Sequence, residues 1–452
     1  MSLRGASATK QSHRLTLGIA SLTLAMTFAL PVQATTTLTG DVAFLNTNFL
    51  LHRNNHPIND QESVEAVLKY IYDNEHSFKL DLQPRLKIDF LDASLNRYLP
   101  NTAEAVFYSP AGEIRGGIGM IPWGVSHSFN PTDVINRKDL EANFYNPDRL
   151  GDFFLEGKKI FPQVGGFSDL TLTALVLPLF QETPLPENNN RFALAGTAGP
   201  APYTLLTDQD TPGYPKALGG AFAASALVGR ADLSLHYYHG PEHNPGFVLV
   251  TDSSGALRLR GFYYTIDMIG TNAEIPLAGL LFHFESAVKI TSESRTHIVS
   301  NGDNNAVPAT YFQAVPGVDY TIQKIGDGEI EVTLEYLKEF NRGSGLRNFR
   351  PFQNDLFLGG RYRANNRQDT TAELGIIKDV TNRETVFVAR AESRLYRNLK
   401  GGLESIAVIR GSGDTPLSYF DNNSYIMAKL STSFGGPVSA RHKEDSHDGS
   451  RN

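Results

Sequence analysis

The segment with the highest density of metal-ligand side chains is His236-Tyr237-Tyr238-His239-Gly240-Pro241-Glu242-His243. His236 and His239 are an odd number of residues apart, so on a β-strand they point to opposite faces and cannot bind one ion together. We interpret the segment as a strand rim followed by a solvated loop. The sequence therefore predicts no metal site.

A second segment, Ser126-His127-Ser128, pairs hydroxyl groups with an imidazole. A serine nucleophile needs a base within hydrogen-bond reach and a third group that orients the base, and close neighbours in sequence seldom achieve this. Ser128 is better explained as a turn residue ahead of Asn130-Pro131. The chain also lacks G-x-S-x-G, H-E-x-x-H and phosphate-binding glycine motifs. We predict no catalytic residue, no enzyme activity and no cofactor.

The single tryptophan, Trp123, is the second residue of a long segment at 122–149. A lone Trp at a strand end is typical of an anchor at the membrane interface, and a ligand platform is the alternative. The segment is long enough to fold inward and narrow a channel, and an exposed extracellular loop explains its length equally well. Its candidate constriction residues are Asp133, Arg137, Lys138 and Asp139.

The elements that must position these groups are β-strands. From Phe78 to Phe90, apolar residues occupy every even position and polar or charged ones every odd position, which predicts a strand with one apolar and one wet face. Pro84 removes a ladder hydrogen bond and predicts a bulge. The pattern alone fits a soluble sandwich with an apolar interior or a membrane barrel with an apolar exterior.

Charged residues keep to one face of these strands. On the lipid side, Lys or Arg costs about 2–4 kcal/mol at the membrane midplane, so we expect the charged face to line a lumen. Acidic residues slightly outnumber basic ones there, which predicts a weak cation preference or selection of polar, zwitterionic solutes. The pore-lining candidates are Lys79, Asp81, Arg85, Lys87, Asp89, His283, Glu285, Lys289, Glu329, Glu331, Glu335, Arg361, Arg363, Arg390 and Arg394.

The N-terminus predicts export. Arg4, Lys10 and Arg14 precede the apolar run Leu15–Leu30, and Val32-Gln33-Ala34 resembles a cleavage site, so residues 1–34 read as a signal peptide. No later stretch has the ~20 apolar residues of a membrane helix. The chain contains no cysteine, and its net charge of −7 is spread without a basic block, which excludes a disulfide framework and gives no support to nucleic-acid binding.

Alternation and turn residues predict 16 to 18 strands, which is more than one open sheet usually holds. Closure into a barrel would also remove the unpaired strand edges, so we expect a single closed barrel. Short turns alternate with long linkers, as expected for a barrel whose chain ends lie in the periplasm; 380–383 is an unexpectedly short linker. The predicted strands are 39–52, 64–73, 78–91, 102–109, 112–121, 150–158, 169–180, 218–229, 231–239, 257–270, 277–291, 309–323, 328–341, 354–366, 370–380, 383–395, 402–411 and 422–434.

Two segments resemble a known group of proteins. Asn422–Phe434 resembles the closing strand of Gram-negative outer-membrane barrels, and Trp123-Gly124 with Asn130-Pro131 is similar to the W-G…N-P turn of a poorly characterised porin-like group. The resemblance implies an all-β fold: a single transmembrane antiparallel barrel at 35–434 in the outer membrane, with long extracellular loops and a polar tail at 435–452. It also implies a barrel-assembly machinery as partner during biogenesis.

The leading functional hypothesis is a porin-like channel for passive uptake of small hydrophilic solutes, surrounded by outer-membrane lipids, as a monomer or a homo-oligomer. One alternative is a non-conducting outer-membrane barrel that serves in secretion, envelope assembly or surface binding. The other is a secreted, soluble β-rich binding protein.

Overall fold

The computed structural model describes residues 35–51, 60–141, 147–188, 190–193, 204–291, 310–340, 350–409 and 423–438. The strands are β1 Thr35–Phe49, β2 Asp60–Asp73, β3 Phe78–Asp89, β4 Arg97–Ser109, β5 Gly112–Gly119, β6 Asp152–Val164, β7 Phe167–Leu177, β8 Thr204–Leu205, β9 Gly219–Val228, β10 Ala231–Pro241, β11 Gly246–Thr251, β12 Leu257–Phe262, β13 Thr265–Leu277, β14 Leu280–Thr291, β15 Tyr311–Ile325, β16 Gly328–Phe340, β17 Asn354–Arg363, β18 Thr371–Asp379, β19 Thr385–Tyr396, β20 Leu399–Ile409 and β21 Tyr425–Pro437.

Eighteen of these strands form one antiparallel sheet that closes on itself. Each strand pairs with its sequence neighbours in the sheet, and β1 pairs with both β2 and β21. At the closure, the Phe434 ring lies over Gly40, where a Cβ atom would be only 2.3 Å from the ring. The predicted all-β barrel of 16–18 strands is confirmed, with 18 strands.

One predicted strand is wrong. The stretch 257–270 contains two strands: β12 joins β8 and β11 in a separate three-stranded sheet, and β13 belongs to the barrel. The division falls at Tyr263 and Tyr264, which are both buried and lie between the two strands. Alternation is the same in a barrel strand and in a loop hairpin, so it could not separate them.

The predicted faces of β3 are correct. Asp81 and Asp89 are buried towards the barrel interior, whereas Leu86 and Ile88 are exposed on the outside. The predicted bulge is present, because Gln83 pairs with Thr102 but Pro84 pairs with Pro100. The extra residue, Asn101, lies on β4, so β3 keeps its alternation on both sides of the proline.

Turns and loops alternate around the ring. Two-residue turns at 110–111, 165–166, 229–230, 278–279, 326–327 and 397–398 lie on one side, and long connections such as 120–151, 178–218 and 242–264 lie on the other. The connection at 380–384 is short, as predicted. Among the described residues the helical content is one 3-10 turn, Ala93–Leu95, and no helix is long and apolar enough to cross a membrane.

The long-loop end of the lumen contains two buried apolar clusters. One joins inward-facing wall residues such as Val386 and Tyr425 to loop residues such as Phe129 and Phe192. The other includes Trp123, which is 9% exposed and packs on His236 at 4.6 Å between ring centroids. The prediction that Trp123 anchors the membrane interface is therefore wrong, because the chain turns into the barrel directly after β5.

The predicted domain ends lie at the edge of the described residues. The last strand continues past Phe434 to Pro437, so the first residues of the predicted tail pair with β1. The signal peptide at 1–34 and residues 439–452 are outside the described residues.

Candidate functional site

The loop between β5 and β6 folds into the barrel and is anchored on Glu285 of β14. The backbone N–H groups of Val125 and Ser126 donate to Glu285 Oε2 at 2.9 and 3.2 Å. Thr132 donates to Glu285 Oε1 through its N–H at 2.8 Å and its hydroxyl at 2.7 Å. Four donors thus surround one carboxylate that is fully buried. Such charge-assisted bonds are stronger than neutral ones.

Gly124 is required by this anchor. Its φ is +106°, and a Cβ atom there would lie 2.5 Å from Asn130 Oδ1 and 2.9 Å from Glu285 Oε2. A side chain would therefore be strained and would also displace the carboxylate. The Trp123-Gly124 and Asn130-Pro131 motif is the sequence of a turn that wraps around Glu285.

A second wall carboxylate, Glu335 of β16, holds the next residues of the loop. The His127 N–H donates to Glu335 Oε1 at 2.5 Å, and the Ser128 N–H donates to Oε2 at 2.9 Å. The His127 ring lies against Asp319 of β15, with 3.3 Å between Nε2 and Oδ2. This hydrogen bond raises the pKa of the His127 imidazole above its usual value. The loop is therefore fixed to three neighbouring strands.

His283 of β14 connects the same carboxylates beneath the loop. Its Nδ1 lies 3.1 Å from Asp319 Oδ2, and its Nε2 lies 3.1 Å from Glu335 Oε1. The ring crosses directly over Gly317, where a Cβ atom would be 1.9 Å from Nε2. Because both nitrogens face carboxylates, an imidazolium that donates from each of them satisfies both contacts.

The four predicted constriction residues hold the loop in shape. Asp133 pairs with Arg149 at 2.8 Å and with Lys138 at 3.9 Å, both within the same connection. Arg137 Nε lies 3.5 Å from Asp152 at the start of β6, and Asp139 pairs with Arg97 of β4 at 2.8 Å. Asp133 and Asp139 are buried. Their predicted role in narrowing a channel stays a prediction.

The adjoining part of the wall, from β16 to β20, carries a row of alternating charges across five strands. Cross-strand pairs place its members directly opposite one another from β16 to β20. Arg361 Nε lies 2.5 Å from Glu373, and Arg390 Nη2 lies 2.6 Å from Glu404. The side chains of Arg361 and Arg390 remain 42% and 45% exposed, so water reaches this face. We name this set the charge row: Glu331, Arg361, Glu373, Arg390 and Glu404.

All wall residues predicted from the sequence lie on inward-facing positions, but they differ in solvent access. Arg363 and Arg394 are about as exposed as the charge-row arginines, at 41% and 42%. Others face inward but are covered by loops or neighbouring chain; these buried members are Asp81, Asp89, His283, Glu285, Lys289 and Glu335. Lys289 pairs with Glu242 of the β10–β11 connection at 3.3 Å. An inward orientation predicted from the sequence was therefore not enough to tell which wall residues are accessible to solvent.

The two histidine-containing segments, 236–243 and 126–128, have a structural role. His236 is buried inside the barrel, whereas His239 faces outward and bonds Asp267 at 2.8 Å, so the predicted opposite faces are confirmed. Ser126 Oγ is buried without a hydrogen-bond partner, so His127 does not activate it. The sequence did reveal Glu285 and Glu335 as inward carboxylates. Their loop partners have no local sequence signal.

Together, the closed ring, the apolar exterior and the charged interior define a porin-like outer-membrane β-barrel. No protein-family model matches the chain, and the search of curated proteins found no match.

Among solved structures, the chain is similar to Acinetobacter baumannii OccAB1, with a TM-score of 0.50 and 8% identity over 90% of this chain and 97% of that chain. It also resembles Wzi of Escherichia coli, described as a carbohydrate-binding β-barrel involved in group 1 capsule assembly. The TM-score is 0.48 and the identity is 10%, over 95% of this chain and 90% of that chain. For Pseudomonas aeruginosa OccK11 the TM-score is 0.47 and the identity is 11%, over 90% of this chain and 96% of that chain. At these identities the likeness concerns the fold alone.

Proposed function

We propose that the protein is a narrow outer-membrane channel for passive uptake of small hydrophilic solutes, and that its solute path follows the charge row. The observation that carries this proposal is the exposure of Arg361 and Arg390 on the inward face. A charged guanidinium group at membrane depth faces the protein interior or a water-filled cavity, so this exposure supports a wet lumen beside the wall. No catalytic step is part of the function.

Alternating charges favour solutes that carry both signs or strong dipoles. Each arginine of the charge row lies between two carboxylates, so a purely cationic or anionic solute meets attraction and repulsion in turn. A zwitterion can align its two charges with neighbouring positions. The inward loop, anchored on Glu285 and Glu335 in the adjoining part of the wall, narrows the lumen and excludes larger molecules.

A non-conducting barrel is the second candidate, because the apolar clusters fill part of the long-loop end of the lumen. Such a barrel would serve in secretion, envelope assembly or surface binding through its long loops. Under either function, the proposed partners are outer-membrane lipids and the barrel-assembly machinery. A small polar solute is the further partner of the channel, and a homo-oligomer is compatible with both functions.

Single-channel recording of the refolded full-length protein in planar bilayers separates the two candidates. The channel function predicts discrete current steps whose size rises with salt concentration. Addition of a zwitterionic amino acid should reduce the current, while a neutral sugar of similar size should reduce it less. Absence of current steps from correctly folded, heat-modifiable protein would contradict the channel and favour the non-conducting barrel.

A further inference from the structure

Three potential metal ligands converge where the inward loop meets the wall. They are His127 from the loop, Asp319 from β15 and Glu331 from β16, and one ligand atom from each lies within 4.8 Å of the other two. Residues from separate segments meet at this point, so the cluster depends on the folded loop. His127 is 36% exposed, which leaves the group reachable from the lumen.

We propose that His127, Asp319 and Glu331 form a binding site for a divalent transition metal, for which Zn²⁺ is the best-matched ion. One imidazole and two carboxylates, with an open fourth position, are ligands that zinc accepts. Ligand atoms about 2.0–2.2 Å from a tetrahedral ion are separated by about 3.4 Å. The 3.3 Å between His127 Nε2 and Asp319 Oδ2 already matches that separation.

The surroundings of Asp319 suit a ligand. Thr333 Oγ1 donates to its Oδ1 at 2.6 Å, and His283 Nδ1 lies 3.1 Å from its Oδ2. Such outer contacts orient a ligating carboxylate and typically change metal affinity by about 10–100-fold. Glu335 faces the other ring nitrogen of His283 and balances the charge of that imidazolium. Asp319 and Glu331 therefore leave a net negative charge at the site even beside Arg363.

Arg363 competes with the metal for one of the ligands. Its Nη2 lies 3.3 Å from Glu331 Oε2, so the metal must bind the other carboxylate oxygen or displace the guanidinium. A bound metal would add a further connection between the loop and the wall, beyond the hydrogen bonds to Glu285 and Glu335. This inference concerns a site in the barrel interior and does not depend on whether solutes pass through the lumen.

Isothermal titration of chelator-treated, refolded full-length protein with Zn²⁺ tests the site, and Co²⁺ absorption reports the ligand geometry. We expect one ion per chain, with little competition from Mg²⁺, which avoids imidazole. His127→Ala, Asp319→Asn and Glu331→Gln should each weaken binding by at least about tenfold, the lower bound known for outer contacts. Arg363→Gln should tighten it by removing the competing charge.

His239→Ala is the matched control, because His239 also bonds an aspartate but lies on the outer face without a third ligand. Its affinity should equal that of the wild type. Heat-modifiability on gels confirms that each variant is folded before titration. Absence of Zn²⁺ binding by the wild type, or equal binding by the three ligand variants, would overturn the proposal.

Discussion

At the scale of single residues, inward carboxylates have two roles. Glu285 and Glu335 are fully buried and accept N–H groups from the loop, whereas Glu373 is partly exposed and pairs with arginine. A buried carboxylate without donors is costly, so Glu285 and Glu335 make the inward position of the loop energetically favourable. Exposed ion pairs contribute only about 0–1 kcal/mol each.

Glu285→Gln should loosen the loop. The amide keeps the size of the side chain but removes the charge from four hydrogen bonds, and hydrogen bonds to charged groups contribute about 1.5–3 kcal/mol each. If cleavage follows local opening, trypsin should cut the loop at Arg137 or Lys138 roughly tenfold or more faster. Glu392→Gln, which removes a partly exposed pair with Lys400 far from the loop in sequence, is the control and should leave the rate unchanged. Equal rates in all three proteins would contradict the anchoring role.

Gly124→Ala should destabilise the protein more than Gly165→Ala. Both glycines have positive φ, but Gly165 has open space around it and a φ of +59°, so alanine there costs about 1 kcal/mol. At Gly124 the added methyl also collides with Asn130 and Glu285, which should raise the cost to about 3 kcal/mol. Urea unfolding in phospholipid vesicles measures the difference. Equal losses would show that Gly124 is only a turn residue.

At the scale of elements, alternation was sufficient for most strands and for the direction of their faces. It predicted the inside of β3 and the bulge at Pro84, because side-chain period and proline chemistry are local. It did not separate β12 from β13. It also could not find the loop anchors, since Val125 bonds a residue 160 positions away and the His127 N–H bonds one 208 away.

Single-cysteine variants test the faces directly, because the native chain has no cysteine. On β19, Arg390 and Glu392 face inward, and Ala389 and Ala391 face outward. In vesicles, a water-soluble, membrane-impermeant maleimide should label Arg390→Cys and Glu392→Cys rapidly and Ala389→Cys and Ala391→Cys slowly. Equal labelling of all four would contradict the assignment of the inward face of β19 to water and of its outward face to lipid.

At the scale of the whole molecule, the ring is closed by contacts between its ends, as in the pair Asp41 and Ser433, which are 392 residues apart. Closure leaves no free edge among the eighteen barrel strands. The anchored loop is bound to the wall at β14–β16, and the charge row lines the adjoining wall from β16 to β20. The sequence predicted the charges of both parts of the wall but not which part a loop covers, because that depends on which loops fold inward.

The reversal potential across a bilayer under a KCl gradient tests most directly whether ions follow the charge row. Arg361→Gln with Arg390→Gln leaves Glu373 and Glu404 without an arginine partner, while Glu331 keeps Arg363, so the potential should shift towards cation selectivity. Lys378→Gln, at an outward-facing position near the long-loop end, is the control and should leave the potential unchanged. A conducting double variant with the wild-type potential would contradict a path along this wall.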